Sequence, residues 1–424
     1  MSNALSRLGR RKFLSGAAAI AATSSISFLG LQRWLGDRAT AATRLTDVIP
    51  FLGLHQPGIT TPDVAAALVV ALDVTARSRA ELDQLFKTLT QRIEYLMSGG
   101  TLPPLDAKYP PSGSGILGDR FPADHLTVTV SVGASLFDER YGLESLRPAH
   151  LKQMPKFPND RLDPDFCHGD LLLQFCANHN ETNIHALRDI IKQLSGLVVL
   201  RWQIAGFQQP DSDPHPHRTT VRNLLGFKDG TANPNPHNTK EMNQLVWVQP
   251  KQNEPAWAVG GTYHVVRVVR MFVEFWDRTA LDEQEEIIGR SRVTGAPLGY
   301  KHEEDMPNYG KDPNGKTIRL DAHIRLANPR TPATEASRIL RKGFHYSRGI
   351  DKAGQLDMGL LFIAFQQDVE RGFETIQNRL NGEPLEEYIK PIGGGYFFTL
   401  PGVQKKNEYL AQSLLQSADS INRS

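Results

Sequence analysis

The sequence contains little cysteine, no excess of charge of either sign and, beyond its N-terminus, no long apolar run. Its 424 residues include only Cys167 and Cys176, too few for a disulfide scaffold, so one optional disulfide and two buried thiols both stay open. Because 48 basic residues are balanced by 46 acidic ones, no basic stripe indicates a nucleic-acid partner. No later segment is long and apolar enough to cross a membrane, and we expect a soluble mature protein.

The N-terminus has the three parts of an export signal. Arg10-Arg11 form a twin-arginine cluster, an apolar run with small residues extends from position 16 to about 31, and Ala39-Thr40-Ala41 is an A-x-A processing site. This order predicts a cleaved secretory signal over residues 1–41 and export by the twin-arginine route. The alternative is a membrane anchor, but the apolar run is short and interrupted by serines. We expect the mature chain in the periplasm, or outside the cell if the host lacks an outer membrane.

Hydrophobic periodicity predicts the same module twice. The first half shows strand, helix, strand, strand, helix and strand patterns over residues 66–75, 79–97, 126–132, 171–176, 181–194 and 197–207. This order is the split βαβ arrangement of a ferredoxin-like fold. The second half repeats it in part, with strands over 263–276, 358–365 and 396–400 and helices over 280–290 and 369–380. A doubly wound parallel sheet is the alternative, but two successive strands at 126 and 171 have no helical pattern between them.

We therefore predict an α+β protein built from a duplicated ferredoxin-like module, with two antiparallel sheets and their helices. The predicted N-terminal domain covers residues 42–212 and the C-terminal domain residues 213–424. A long loop rich in turn residues lies between the modules, over 210–238, and an equivalent one lies within the second module, over 295–332. Loops of this length inside a compact protein are usually functional or disordered, so we expect the functional residues there.

The two loops contain different chemical groups. The first contains Gly226-Phe227-Lys228-Asp229-Gly230, which in isolation is foremost a turn. The second contains His323 with Arg325 and Arg330 close by in sequence, and Arg341 follows. One histidine among several cations does not suit zinc, which takes three or four nitrogen, sulfur or oxygen ligands. It suits haem, whose iron takes one imidazole and whose propionates pair with arginine.

These segments resemble those of a known family. Residues 226–233 (GFKDGTAN) are similar to the distal-loop motif of dye-decolourising (DyP-type) haem peroxidases, and residues 323–330 (HIRLANPR) to their proximal-histidine segment. Further matches, at residues 55–62, 127–138, 356–362 and 391–398, extend the resemblance over nearly all of the mature chain. The family's duplicated ferredoxin-like fold agrees with the repeat. The twin-arginine signal makes the chain most similar to the exported peroxidases of the three-part Efe iron-uptake system.

The resemblance implies one haem b per chain, bound in the C-terminal half, and a role for each matching residue. His323 would be the proximal iron ligand, Asp229 the distal acid and base, and Arg341 the distal arginine. Residues along the haem edge, near a propionate or at the proximal rim would be Gly230, Thr231, Ala232, Asn328, Pro329 and Arg330. A second acceptor should receive the other N–H of the proximal imidazole; Asp368 is the candidate and Asp357 the reserve.

The implied activity is the reduction of hydrogen peroxide coupled to the oxidation of dyes, phenols or other one-electron donors. Asp229 would move the peroxide proton, while Arg341, which keeps its charge, would stabilise the developing anion. Because a free aspartate titrates near pH 4, we expect an acidic optimum. The subgroup further implies a homodimer, partners in iron uptake and deferrochelatase activity, the removal of iron from haem with the porphyrin left whole.

Two other functions are weighed against this one. A non-catalytic haem-binding or haem-delivery protein would need His323 but would have no use for the pair formed by Asp229 and Arg341. A related ferredoxin-like haem enzyme such as chlorite dismutase would have a distal arginine without the distal aspartate, which the GFKDG loop makes less suitable.

Overall fold

The computed structural model describes residues 48–209 and 220–421, so the predicted export signal lies outside the described residues. The strands are β1 (Ala66–Val74), β2 (Gly100–Thr101), β3 (Arg120–Phe121), β4 (Thr127–Gly133), β5 (Leu171–Ala177), β6 (Val198–Phe207), β7 (Thr262–Met271), β8 (Leu340–Arg341), β9 (Phe344–Ile350), β10 (Leu356–Gln366) and β11 (Ile389–Thr399). The α-helices are α1 (Arg79–Ser98), α2 (Asn180–Gln193), α3 (Thr239–Leu245), α4 (Val273–Trp276), α5 (Leu281–Ile288), α6 (His323–Ala327), α7 (Thr375–Leu380) and α8 (Gln412–Ile421). Short 3-10 turns connect several of them, and a π turn over Glu370–Glu374 leads into α7.

The N-terminal half forms an antiparallel sheet in the order β4-β5-β1-β6. Its long helix α1 begins at Ser78, whose side chain accepts the Glu81 N–H at 3.2 Å, an ordinary N-cap. The apolar stripe of α1 recurs at helical spacing through Leu82, Phe86 and Leu89, all fully buried. These side chains join those of β1, β4 and β5 in one hydrophobic cluster, so α1 and α2 cover the outer face of this sheet.

The C-terminal half repeats the same strand order, β11-β7-β10-β9, with the short β8 also paired to β10. When the strands of each module are numbered along the chain, both halves have the order 4-1-3-2 across the sheet. This is the ferredoxin-like arrangement, so the predicted α+β duplication is confirmed. Three details were predicted wrongly: the strand expected over residues 263–276 ends at Met271, β9 had no predicted counterpart, and the last strand, expected over 396–400, begins at Ile389.

The two sheets join at their edges into a ring of eight antiparallel strands. Residues Phe397–Thr399 of β11 pair with Ser131–Gly133 of β4, and Phe207 of β6 pairs with His345 of β9. Apolar side chains from both halves fill the interior: Val69, Ala71, Leu172, Trp202, Ile204, Val266, Val268, Phe344, Leu361, Ile363, Phe365 and Phe397. The described residues thus form one compact unit, while the boundary between residues 212 and 213 stays a prediction.

Two further findings concern the cysteines and the helices. Cys167 and Cys176 are both buried free thiols, and complete burial raises the pKa of the Cys176 thiol to about 11. Across the ranges 48–209 and 220–421, we find no helix with both the length and the apolar character needed to cross a membrane.

Candidate active site

A cavity lies against the outer face of the C-terminal sheet, where only short helices and turns cover the strands. Its floor includes Val269 of β7 and Leu360 and Phe362 of β10, which alternate with residues facing the ring interior. The walls come from the two long loops and from β8. The cavity brings together most residues that the sequence singled out: Asp229, Gly230, Thr231, Ala232, His323, Asn328, Arg330 and Arg341. Pro329 is not among the lining residues.

Local hydrogen bonds shape the loop that presents Asp229. The Asn223 side chain accepts the N–H groups of Leu225 at 3.1 Å and Phe227 at 3.2 Å, an Asx-type turn that replaces regular pairing. Phe227 is 1% exposed and packs edge-on against the Trp276 ring at 5.9 Å. The buried phenyl ring therefore anchors the loop two residues before the carboxylate that faces the cavity.

Asp229 and Arg341 form an ion pair across the cavity wall. Arg341 lies on β8, and its backbone exchanges two hydrogen bonds with one side chain: Asn233 Nδ2 donates to its carbonyl at 2.7 Å, and its N–H donates to Asn233 Oδ1 at 3.2 Å. A second, more polar cavity is also lined by Asp229 and Arg341. The ion pair therefore borders both cavities, with side chains 29% and 31% exposed.

His323, the first residue of α6, is oriented by a carboxylate. Its Nδ1 lies 2.7 Å from Glu383 Oε2, and the Glu383 side chain is only 3% exposed. Burial acts to lower the pKa of His323, but the Glu383 carboxylate outweighs burial and the net effect raises that pKa. With Nδ1 engaged, Nε2 is the nitrogen left for a ligand in the cavity.

The prediction that Asp368 accepts from this imidazole is therefore wrong. Asp368 Oδ1 instead accepts the N–H groups of Glu370 at 2.9 Å and Arg371 at 3.0 Å, because it caps the π turn after β10. The reserve candidate, Asp357, pairs with Arg348. Glu383 lies in a turn after α7, sixty positions from His323, and no periodicity or motif in the sequence pointed to it.

Arginines give one side of the cavity a positive charge. Arg330 Nε is buried without a hydrogen-bond partner among the described residues, and Arg290, 5% exposed, lines the same cavity. Burial, followed by the charge of Arg330, lowers the pKa of Arg290 and outweighs the opposing charge of Glu303. Arg325 instead donates to the carbonyls of Asp312 and Ile318, both at 2.8 Å, and holds the loop. Arg290 was missed from the sequence because nothing distinguishes it from a surface arginine.

These residues fit a haem. A free imidazole nitrogen suits the iron, and a guanidinium whose buried Nε lacks a partner suits a propionate. Apolar side chains such as Ile324, Leu360 and Phe362 suit the macrocycle. The described residues contain no group of three or more histidine, cysteine, aspartate or glutamate side chains that could hold a metal ion directly.

Comparison with solved structures places the fold. The chain superposes on a DyP-type peroxidase from Cellulomonas bogoriensis with a TM-score of 0.78 and 35% identity, covering 88% of this chain and 99% of that one. Ferric DtpA from Streptomyces lividans gives a TM-score of 0.79 and 34% identity, covering 88% of this chain and 98% of that one.

Sequence relatives agree with the structural neighbours. The chain is 57% identical over 368 residues to a deferrochelatase of Yersinia pestis, covering 87% of this chain and 85% of that protein. It is 51% identical over 416 residues to a deferrochelatase of Escherichia coli O157:H7, covering 98% of each. Residues 56–208 match the model of the Dyp-type peroxidase N-terminal domain, and residues 220–404 match that of the C-terminal domain. The chain belongs to the Dyp-type peroxidase family.

Proposed function

We propose that this protein is an exported haem peroxidase that reduces hydrogen peroxide, oxidises dyes, phenols or other one-electron donors, and also releases iron from haem. The observation that carries the proposal is that one cavity has His323 with a free Nε2 and the ion pair of Asp229 and Arg341 among its lining residues. A simple haem carrier needs the first of these features but not the second.

One haem b per chain would be held by His323 Nε2 at the iron and by Arg330, with Arg290 beside it, at the propionates. Gly230, Thr231 and Ala232 would follow the haem edge, with Asn328 and Pro329 at the proximal rim. When bound, haem supplies the iron centre that reacts with peroxide and accepts electrons from the donor. Glu383 keeps the imidazole in one tautomer and orientation and raises its basicity.

Asp229 and Arg341 supply the protein's part of the chemistry. The Asp229 carboxylate can accept a proton from one oxygen of hydrogen peroxide and return it to the other peroxide oxygen. The second oxygen then leaves as water. Arg341 contributes a guanidinium cation, which can stabilise the negative charge that develops as the O–O bond breaks. The ion pair with Asp229 keeps both groups on the same side of the cavity.

Release of iron from haem is the second activity, and it is supported by the relatives named deferrochelatase, to which the chain is 51–57% identical. We assign it to the same cavity, with haem as the substrate. Export by the twin-arginine route to the periplasm or cell exterior, a homodimer and partners in an iron-uptake system belong to the same proposal. The Arg10-Arg11 cluster and the subgroup resemblance support them.

The test compares absorption spectra of the mature protein reconstituted with haem, as wild type and as His323→Ala. We expect a Soret band that shifts with peroxide in the wild type and is lost in the variant. Asp229→Asn should keep the resting band but turn over peroxide about 10²–10⁴ times more slowly, the usual contribution of a positioned acid and base. Turnover unchanged by this substitution would contradict the role of Asp229 as acid and base, whereas haem binding without peroxide turnover in the wild type would favour the non-catalytic haem-binding alternative.

Iron release needs a separate readout. Metal-free porphyrin fluoresces whereas haem does not, so fluorescence that grows during incubation of the wild type with haem measures the activity directly. His323→Ala is the matched control, since both activities are assigned to one site.

A further inference from the structure

A buried carboxylate outside the matched motifs connects the two long loops. Glu303 lies in the second loop and is 7% exposed. Its Oε2 forms an ion pair with Lys228 Nζ, and its Oε1 accepts the Thr231 hydroxyl at 2.8 Å. Both carboxylate oxygens are therefore committed to the first loop, and neither contacts His323 or Arg341.

Two side-chain partners of Glu303, Lys228 and Thr231, flank Asp229 in sequence, one residue before it and two after it. Lys228 is 17% exposed, and its stem packs on Gly295, where an added Cβ would lie 2.6 Å from Lys228 Cδ. Because Gly295 also has a φ of +76°, a side chain there would be strained and would displace the lysine. The ammonium group is thus directed at Glu303 by packing as well as by charge.

Glu303 is itself held from the other side. Arg290 Nη1 donates to the Glu303 carbonyl at 2.9 Å and to the Gly295 carbonyl at 2.5 Å. Burial acts to raise the pKa of Glu303, but the bonds from Lys228, Thr220 and Thr231 outweigh burial and lower that pKa, so the carboxylate stays ionised. A buried, charged and fully bonded group of this kind fixes the geometry of what it holds.

We propose that Glu303 is a positioning residue that fixes Asp229 by holding Lys228 and Thr231, on either side of it. The inference rests on the proposed peroxidase function, in which a carboxylate must lie within hydrogen-bond reach of the peroxide proton. The ion pair with Arg341 attracts the Asp229 side chain, whereas Glu303 ties its loop to the second loop through the side chains of Lys228 and Thr231. A displacement of about 1 Å at such a group can cost about 10²-fold in rate.

The experiment is a double-mutant cycle between Glu303→Gln and Asp229→Asn, measured as the second-order rate constant for peroxide with the haem-loaded protein. Glu303→Gln keeps the side-chain volume but removes the charge that pairs with Lys228. We expect a loss of about 10- to 100-fold in the wild-type background and no further loss in the Asp229→Asn background, since Glu303 acts through Asp229. The matched control is Glu304→Gln, the same charge change one residue later on an exposed side chain, which should match wild type.

A second readout needs neither haem nor activity. Hydrogen–deuterium exchange of the peptide over residues 226–233 should accelerate in Glu303→Gln, with exchange in β7 and β10 unchanged, and should stay at the wild-type rate in Glu304→Gln. If Glu303→Gln does not fold, Thr231→Val tests the same connection by removing the hydroxyl that Glu303 accepts, and the same acceleration is expected.

The outcomes separate the two proposals. An equal loss of rate from Glu303→Gln with and without Asp229 would mean a general structural effect and would overturn the positioning role, as would unchanged exchange in the loop. If the wild type neither binds haem nor turns over peroxide, the proposed function fails, and the exchange measurement alone then decides whether Glu303 holds the loop.

Discussion

His323 and Glu383 show how one contact changes what a side chain can do. A histidine with both ring nitrogens free can bind a ligand in either tautomer, whereas Glu383 engages Nδ1 at 2.7 Å and selects one. The carboxylate is almost fully buried, so water screens its charge little. In the proposed haem site, the pair would therefore offer the iron a more basic imidazole than a histidine bonded to water.

Substitution of Glu383 should weaken the bond between haem iron and the protein. We expect Glu383→Gln to reduce haem affinity by about 10- to 100-fold, the usual effect of removing the outer partner of a ligating histidine, as measured by Soret titration. Asp368→Asn is the control, because Asp368 caps a π turn and does not contact His323. A larger loss from Asp368→Asn than from Glu383→Gln would contradict the assignment.

The ionisation of Glu303 predicts a pH dependence of stability. The folded state lowers the pKa of Glu303 below its usual value of 4.5. The ionised carboxylate therefore contributes to the free energy of unfolding above about pH 4.5, and this contribution is lost as the pH falls through the pKa of the folded state. Urea midpoints of wild type and Glu303→Gln should therefore differ most near neutral pH and converge in acid. A constant difference between the two proteins from pH 7 to pH 3 would refute this.

At the residue scale, the sequence identified the groups that carry distinct chemistry and missed those that support them. Asp229, His323 and Arg341 stood in recognisable segments, and the structure brings them to one cavity. Glu383, Glu303 and Arg290 lie in irregular turns, where contacts depend on how distant loops meet. No local sequence pattern encodes contacts between distant loops. For this reason Asp368 was predicted as the acceptor for the His323 imidazole, a role that Glu383 has in the structure.

The elements show where periodicity carries information and where it does not. The buried strands β1, β4 and β5 and the amphipathic α1 were all predicted, because each presents a regular apolar pattern. The strand β9 was missed since, of its residues, only Phe344–Tyr346 are buried, while Ser347–Ile350 are exposed. The region after Met271 was predicted as strand because of its bulky apolar residues. Instead, Phe272 is the N-cap of the short helix α4, and Trp276 is its last residue.

The pairing of β11 with β7 leaves no room for a side chain at Gly394. Its φ is +118°, and an added Cβ would overlap the Val266 carbonyl oxygen on β7. A non-glycine residue with this backbone conformation costs about 1–3 kcal/mol in strain. We expect Gly394→Ala to lower the free energy of unfolding by more than this, because β11 and β7 must also move apart to make room for the methyl group. Thermal unfolding measures the change.

Gly354→Ala is the matched control for that substitution. Gly354 also has a positive φ, +80°, but no atom lies within 4 Å of an added Cβ. Its variant should therefore show the strain without the clash. Equal losses of thermal stability in the two variants would mean that the clash between the added methyl group and β7 does not lower the stability.

The whole molecule depends on its apolar interior more than on the hydrogen bonds that join its halves. The halves pair through three residues of β11 with β4 and through a single pair between β6 and β9. The interior cluster, in contrast, mixes side chains from both sheets. Sequence periodicity predicted two modules but not their closure, because edge pairing between distant strands leaves no mark on either strand.

This interior predicts that the two halves unfold together. Phe397→Ala, at a fully buried interior position, should cost about 3–5 kcal/mol and shift one single transition, seen alike by far-ultraviolet circular dichroism and by tryptophan fluorescence in urea. Val293→Ala, on a side chain that is 75% exposed, should change the midpoint little. Two separate transitions in either protein would show that the sheets are independent.

The long helices α1 and α2 also determine which of the two sheets can carry a cavity. A chain made of two copies of one module has two pseudo-equivalent places for a ligand, one over each sheet. Over the N-terminal sheet that place is filled by the apolar stripe of α1, including Leu82 and Phe86. In the other copy, the short α4 and α5 follow its first strand and the π turn with α7 follows its third strand. These shorter elements leave its sheet open to the cavity. The duplicated architecture thus has its cavity over the C-terminal sheet, while the N-terminal copy of the module serves as scaffold for the other.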